Sequence, residues 1–270
     1  MKRHPVAMLA DVKRAIAGRP TGTRLLFLSD YDGTLAEFNA DPTIPRPSAQ
    51  TAELLCKLAA RTDISLGIVS GRRIADLRTR TQLPSRVYLA GLHGMEIEVG
   101  SRRWQHPDLD AARRYVRALY ERLDAVRHIP GLVLEDKHAS VAVHVRAVPP
   151  AMQTDAIRKA DECADEWVSN GKLRRLNGNL VVEFLPNIAA HKGDATKWIA
   201  DDVEERCRQP VWTVFVGDDV TDEDAFKAIK KGIGVLVGAR DTQASHRVSS
   251  PNEVCSLLEW LADPVASADV

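Results

Sequence analysis

The sequence predicts an α/β protein: a doubly wound, parallel-sheet core carrying an inserted α+β domain. At both ends of the chain, short runs that are apolar along their whole length alternate with helical patterns, as strands buried on both faces do. In the middle, apolar and polar residues alternate, which marks antiparallel strands with one exposed face. The chain has 270 residues and is 44% hydrophobic, enough for one large domain or two smaller ones with proper cores.

Taken in order, "MKRHPVAMLADVKRAIAG" (1–18) has too short an apolar run for a signal-peptide core and reads as a surface helix. "RLLFLSD" (24–30) and "ISLGIVSG" (64–71) are strands that each precede a helical pattern, the first of those helices being "PSAQTAELLCKLAART" (47–62), which makes a βαβ rhythm. The rhythm resumes with a helix at 192–208, strand 211–219, helix 222–231, strand 232–238 and helix 251–262. Between them, after "YLAGLHGMEIEVGSRRWQ" (88–105), come a helix near 108–126 and the strand-like runs "GLVLEDK" and "ASVAVHVR". A helix near 150–168 follows, then "KLRRLNG" and "NLVVEFLP" joined by the turn "NGN" at 177–179. Residues 104–186 are assigned to the inserted domain, and 1–103 with 187–270 to the core. The C-terminal "ADPVASADV" is expected to fray.

Composition excludes several classes of function. Lys plus Arg and Asp plus Glu are both 37, so no global basic field exists to hold nucleic acid or an anionic membrane. Cys56, Cys163, Cys207 and Cys255 are scattered without zinc-ligand spacing and read as core thiols of a reducing compartment. No apolar stretch approaches the roughly 18 residues of a membrane span. A soluble, cytoplasmic monomer is the expectation.

Ligands of open parallel sheets sit beyond the carboxyl ends of the strands, and four stretches fall at predicted strand ends or helix starts. They are Asp30-Tyr31-Asp32-Gly33-Thr34, Ser70-Gly71-Arg72, Lys192, and Gly217-Asp218-Asp219 with Asp222. Two carboxylates about 4 Å apart repel by roughly 4 kcal/mol at an effective dielectric near 20, so a site collecting Asp30, Asp32, Asp218 and Asp219 needs cations. Oxygen ligands without cysteine suit a hard ion such as magnesium, and Lys192 supplies a second positive charge. This is equipment for phosphoryl transfer. Asp30 attacks phosphorus, and Asp32 protonates the leaving alcohol and later deprotonates water. Lys192, Ser70 and turn amides steady the phosphoryl oxygens. Gly33 lets the backbone turn beside the phosphate, and Gly33, Thr34, Ser70, Gly71 and Arg72 are the candidate phosphate contacts.

"DYDGTL", "VSGR", the lysine of "HKGDA" and "GDDVTDEDAF", in this order, resemble the four motifs of the haloacid dehalogenase superfamily, with its Rossmann-like core. The resemblance implies Asp30 as nucleophile, Asp32 as general acid/base whose backbone carbonyl also ligates magnesium, and Asp218 as third protein ligand. Asp219 and Asp222 then bind metal waters or orient Lys192. The inserted domain corresponds to that superfamily's larger cap. "EDKHASVAVHVR" (135–146), "VVEFLP" (181–186) and "AGLHGMEI" (90–97) resemble trehalose-6-phosphate phosphatases. On that resemblance Glu135, Lys137 and Glu183 hydrogen-bond the distal glucose, and Arg146 reaches the phosphate or the sugar near it. His93 is a further substrate contact or a loop histidine. The pattern departs at His138, where a small residue is expected, at Val145, where tyrosine is common, and at His191, where asparagine is frequent.

Other readings stay open at this point. Another sugar phosphate, such as sucrose phosphate, glucosyl- or mannosyl-phosphoglycerate or the substrate of a phosphosugar mutase, fits the same core. A non-enzymatic phosphoacceptor module also combines acidic residues with a lysine, although it is about half this length. Asp222, Glu223 and Asp224 suit a helix N-terminus in any case, and Glu135 with Lys137 could be an exposed ion pair.

Overall fold

The computed structural model describes residues 9–37, 45–137 and 139–263. The first eight residues, His138 and most of the stretch expected to fray lie outside them. The described residues divide into two compact units, one holding 9–37, 45–104 and 190–263, the other Gln105–Ala189.

The first unit begins with α1 (Leu9–Ala17), β1 (Arg24–Ser29), α2 (Ala49–Ala60), β2 (Ile64–Val69), α3 (Ile74–Thr81), β3 (Tyr88–Gly91), β4 (Glu96–Val99) and β5 (Arg102–Gln105). The second unit contributes α4 (Leu109–Arg122), β6 (Val133–Asp136), β7 (Val141–His144), α5 (Pro150–Ser169), β8 (Leu173–Gly178) and β9 (Val181–Pro186). The first then resumes with α6 (Lys192–Cys207), β10 (Val211–Gly217), α7 (Glu223–Ala228), β11 (Gly232–Val237), β12 (His246–Val248) and α8 (Pro251–Ala262).

In the first unit eight strands form one sheet in the order β12-β11-β10-β1-β2-β3-β4-β5. From β12 to β3 neighbours are parallel. Both faces are covered, because successive side chains of β1 point opposite ways. Leu25 and Phe27 join a core with Val12 of α1, Leu55 of α2 and Leu257 of α8, while Leu26 and Leu28 join one with Ile199 of α6 and Phe226 of α7.

α3 supplies the helix expected after "ISLGIVSG", whereas three features depart from the sequence expectation. α7 is shorter than 222–231. The sheet also gains an antiparallel edge, with Leu89 facing Glu98 across β3 and β4. The cause is local: Leu92, His93 and Gly94 all take positive φ, at 53°, 58° and 102°, and turn the chain back on itself. Of the expected core thiols, all free, Cys56 is exposed, while Cys163, Cys207 and Cys255 are partly buried and pack against the edges of the cores.

The second unit is a four-stranded antiparallel sheet, β6-β7-β9-β8. Its apolar face, with Val141, Val143, Val182 and Phe184, packs with Val116 and Leu119 of α4 and Ala160 and Ala164 of α5. Val145 belongs to that buried set, so the residue standing where tyrosine is common serves the core of this unit. Among the described residues, no helix is long and apolar enough to cross a membrane.

Candidate active site

β1 and β10 lie side by side, with Ser29 paired to Val216, so the residues following them emerge together. The backbone N–H of Asp30 donates to the Val216 carbonyl at 2.8 Å. Lys192, the first residue of α6, places Nζ 2.8 Å from Asp30 Oδ1 and 2.7 Å from Asp222 Oδ1. All three are buried, at 4% exposure for Asp30, 3% for Lys192 and none for Asp222. The start of α6 is fixed by a reciprocal cap, in which His191 Nδ1 accepts from the Asp194 amide and the Asp194 carboxylate accepts from the His191 amide. Imidazole thus does the capping work asparagine does elsewhere.

Asp218 completes the cluster, accepting from Thr34 Oγ1 at 3.1 Å. Gly33 sits at φ 77°, and a Cβ there would lie 2.2 Å from Asp218 Oδ2, so only glycine admits this approach. The hydroxyl of Thr34, expected as a phosphate contact, is therefore directed to Asp218. Oxygens of Asp30, Asp218 and Asp222 lie within 4.8 Å of one another. Burial pushes the Asp30 carboxyl well above the ordinary carboxylate range against the pull of Lys192, and Asp222 and Asp218 add to the push. Asp218 is pushed up to about 7, by burial first and then by Asp222. Burial works against the Lys192 ammonium, but Asp222 and Asp30 outweigh it and hold its pKa above the usual value.

Three clustered carboxylates facing one ammonium are short of positive charge, and an all-oxygen donor set fits a hard divalent cation. Asp222 is the least suited of the three to ligate it. Its Oδ1 is held by Lys192 and its Oδ2 accepts from the Asp219 amide at 2.9 Å. That leaves Asp30 and Asp218 as carboxylate donors. Asp219 caps the short turn Val220–Asp222, its carboxylate accepting from the Asp222 amide and from Thr221 Oγ1 at 3.2 Å.

Asp32 lies in a different setting. Arg72 grips it with two bonds, Nε to Oδ2 at 2.6 Å and a terminal nitrogen to Oδ1 at 2.7 Å, while reaching Asp76 at 2.9 Å. Arg72, expected as a phosphate contact, has its guanidinium engaged by these two carboxylates. That the backbone carbonyl of Asp32 serves a cation is what the superfamily resemblance implies. Ser70 Oγ accepts from the Arg72 amide at 3.1 Å, and the His93 amide donates to the Ser70 carbonyl at 3.0 Å. Gly71 lies against the His93 ring, where a Cβ would come within 2.7 Å of Nε2.

Arg240 was missed in the sequence. Its guanidinium donates to the backbone carbonyls of Asp218 at 2.8 Å and Asp219 at 2.5 Å, and to Glu223 Oε1 at 2.5 Å. The signal available was its place, just beyond the carboxyl end of β11, where parallel sheets keep their sites.

The sugar-reading candidates lie in the second unit. Glu135 faces Ala142, which faces Glu183, so these three share the sheet face opposite the apolar one. Glu183 accepts from Lys137 Nζ at 2.9 Å and from Ser140 Oγ at 2.5 Å. Glu135 pairs with His144 Nε2 at 2.9 Å, and Lys137 with Glu183. Arg146 donates to the Asn179 carbonyl at 3.1 Å. Ser140 and His144 were legible in principle, because alternation along "SVAVHVR" puts Ser140, Ala142 and His144 on one face.

A doubly wound sheet with an inserted α+β unit and an aspartate–lysine cluster at its strand ends is the architecture of the haloacid dehalogenase superfamily. Solved structures agree on the fold. The C-terminal domain of Candida albicans trehalose-6-phosphate phosphatase superposes with a TM-score of 0.81 at 22% identity, covering 96% of this chain and 99% of that one. The sucrose-phosphatase of Synechocystis matches with a TM-score of 0.54 at 20% identity, over 88% of this chain and 97% of that one. The chain belongs to the trehalose-phosphatase family, whose model matches residues 28–254. The trehalose-phosphate phosphatase of Mycobacterium avium is 32% identical over 96% of this chain and 68% of its own length. A Mycobacterium tuberculosis protein named as an uncharacterized glycosyl hydrolase is 35% identical over 94% of this chain, which spans only 19% of that much longer relative.

Proposed function

We propose that the protein is a magnesium-dependent phosphatase converting trehalose 6-phosphate to trehalose and inorganic phosphate, acting as a cytoplasmic monomer on a diffusible sugar phosphate. One observation carries the reaction class. Asp30 is buried at a strand end with Oδ1 held by Lys192, which leaves Oδ2 to approach phosphorus. A divalent cation held by Asp30, Asp218 and the Asp32 carbonyl would supply positive charge against the phosphoryl oxygens.

In the first half-reaction Asp30 Oδ2 bonds to phosphorus, the bond from phosphorus to the sugar oxygen breaks, and that oxygen takes a proton from Asp32. In the second, water attacks the aspartyl-phosphate, Asp32 takes its proton, and the bond from phosphorus to Asp30 breaks. Arg72 aims Asp32 throughout. Lys192 neutralises charge on the transferring group, helped by Ser70 and by the amides near Gly33 and Gly71. Glu183 and Glu135, with Lys137 and Arg146, would read the sugar hydroxyls. Polar groups of this kind, left unmatched by a poorer substrate, supply discrimination.

A panel of phosphate esters tests the proposal. Trehalose 6-phosphate should exceed glucose 6-phosphate in kcat/KM by about 100-fold or more, with steady phosphate release. Faster hydrolysis of sucrose phosphate would overturn the sugar and keep the chemistry. Release that stops after one equivalent would overturn the chemistry.

A further inference from the structure

At the amino ends of the strands that deliver Asp30 and Ser70 lies a second charged feature. A cavity of ≈ 230 Å³ opens where β1, β2 and β3 begin, lined by Arg24, Arg61, Arg86 and Arg206 together with Ser65 and Tyr88. β1 and β2 each run six residues away from it, a span of ~20 Å, so it is a separate place from the catalytic cluster. The chain holds equal numbers of basic and acidic residues, 37 of each. Yet among the described residues lining this cavity there is no aspartate or glutamate.

The four guanidiniums are not equally neutralised. Arg24 spends its donors on uncharged acceptors, Ser65 Oγ at 2.8 Å and the carbonyls of Thr62 at 2.6 Å and Ile64 at 3.2 Å. That fixes the side chain and leaves its charge uncancelled. Arg61 is paired with Asp63 at 2.6 Å. Arg206 meets Asp202 only at 3.7 Å, and Asp202 is also held by Arg102 at 2.5 Å. Arg86 makes no ion pair or hydrogen bond with another described residue. A concave surface lined by one sign of charge concentrates the opposite sign in solution, and planar guanidinium forks match tetrahedral oxyanions two bonds at a time.

We propose that this cavity binds a small phosphate anion, either inorganic phosphate or a short phosphate ester. Its volume lies below the ~300–1,000 Å³ of sites for drug-sized ligands, a size suited to a small anion. Ala59, Leu66 and Val87 form an apolar part of the wall, suited to the short carbon chain of an ester.

Calorimetric titration of the whole protein in chelator tests this, because the cation-free cluster of Asp30, Asp218 and Asp222 then repels anions from the catalytic site. The probes are inorganic phosphate and glycerol 3-phosphate, with ionic strength held constant by chloride. The expected result is saturable one-to-one binding tighter than about 1 mM, weakened at least about tenfold in Arg86→Gln and in Arg206→Gln. Arg117→Gln, on an exposed pair with Glu121, should bind as the parent does. Whichever probe binds more tightly identifies the source of the phosphate group. The proposal is overturned by the absence of saturation up to about 10 mM or by binding that survives both substitutions. Binding lost in Lys192→Ala but kept in Arg86→Gln would also overturn it. Arg86 is exposed and unpaired among the described residues, so its variant should melt as the parent does.

Discussion

Asp30 and Asp32 are separated by one residue and occupy opposite electrostatic settings. Asp30 is buried among carboxylates with a single ammonium, whereas Asp32 retains 30% side-chain exposure and is clasped by Arg72. The first setting suits a group that must desolvate to attack, the second a group that must trade protons with water. Asp30→Asn should lower turnover by at least about 10³-fold, since it removes the attacking oxyanion. It also relieves like-charge crowding, so the chelated variant should melt no lower than the parent; a lower melting temperature would mean that Asp30 is holding the fold together. Gly33→Ala should cost about 1–3 kcal/mol and weaken magnesium binding, because its Cβ would lie 2.2 Å from Asp218 Oδ2 at a positive φ. Thermal melts with and without magnesium separate the two losses.

At the scale of elements, the loop after β10 has to present Asp218 and Asp222 at once, and Arg240 ties its carbonyls together. Arg240→Gln should reduce magnesium affinity by about tenfold, read by calorimetry, with a smaller effect on the melting temperature. The same loop shows what the sequence could reveal. Asp30, Ser70, Lys192 and Asp218 were legible because each follows an apolar strand or starts a helix, and parallel topology then brings such positions to one end of the sheet. Arg240 was harder, since a lone arginine beyond a strand has no local pattern and its role lies in backbone carbonyls far away in sequence. The pairing of Glu183 with Lys137 and Ser140 was hidden for a related reason: it depends on strand register across β7 and β9, where Ala142 faces Glu183, and register is set by tertiary pairing. The antiparallel edge was missed because the reversal uses Leu92 and His93 at positive φ, a conformation neither residue type advertises.

At the scale of the whole molecule, the excess of buried carboxylate links stability to pH and to cation. Asp218 has a folded pKa raised to about 7, against about 3.9 in an unfolded chain. The folded protein therefore binds more protons, and stability in chelator should fall as pH rises from about 4 to 7. Magnesium should reverse that loss, raising the melting temperature more at pH 7.5 than at pH 5 by about a few degrees. An equal rise at both pH values would show that the cation binds elsewhere.

The register of the central strands also governs when the protein can come into being during synthesis. Arg24–Ser29 needs Val211–Gly217 alongside it, so the strand that leads to Asp30 leaves the ribosome long before one of its two neighbours exists. The second unit has all four of its strands between Val133 and Pro186 and can close while the rest is still being made, as local pairings do faster than distant ones. Lys192 likewise has no Asp222 to hold until that last stretch emerges. A nascent chain halted before it would carry a finished second unit and an Asp30 with neither Lys192 held in place nor Asp218 beside it.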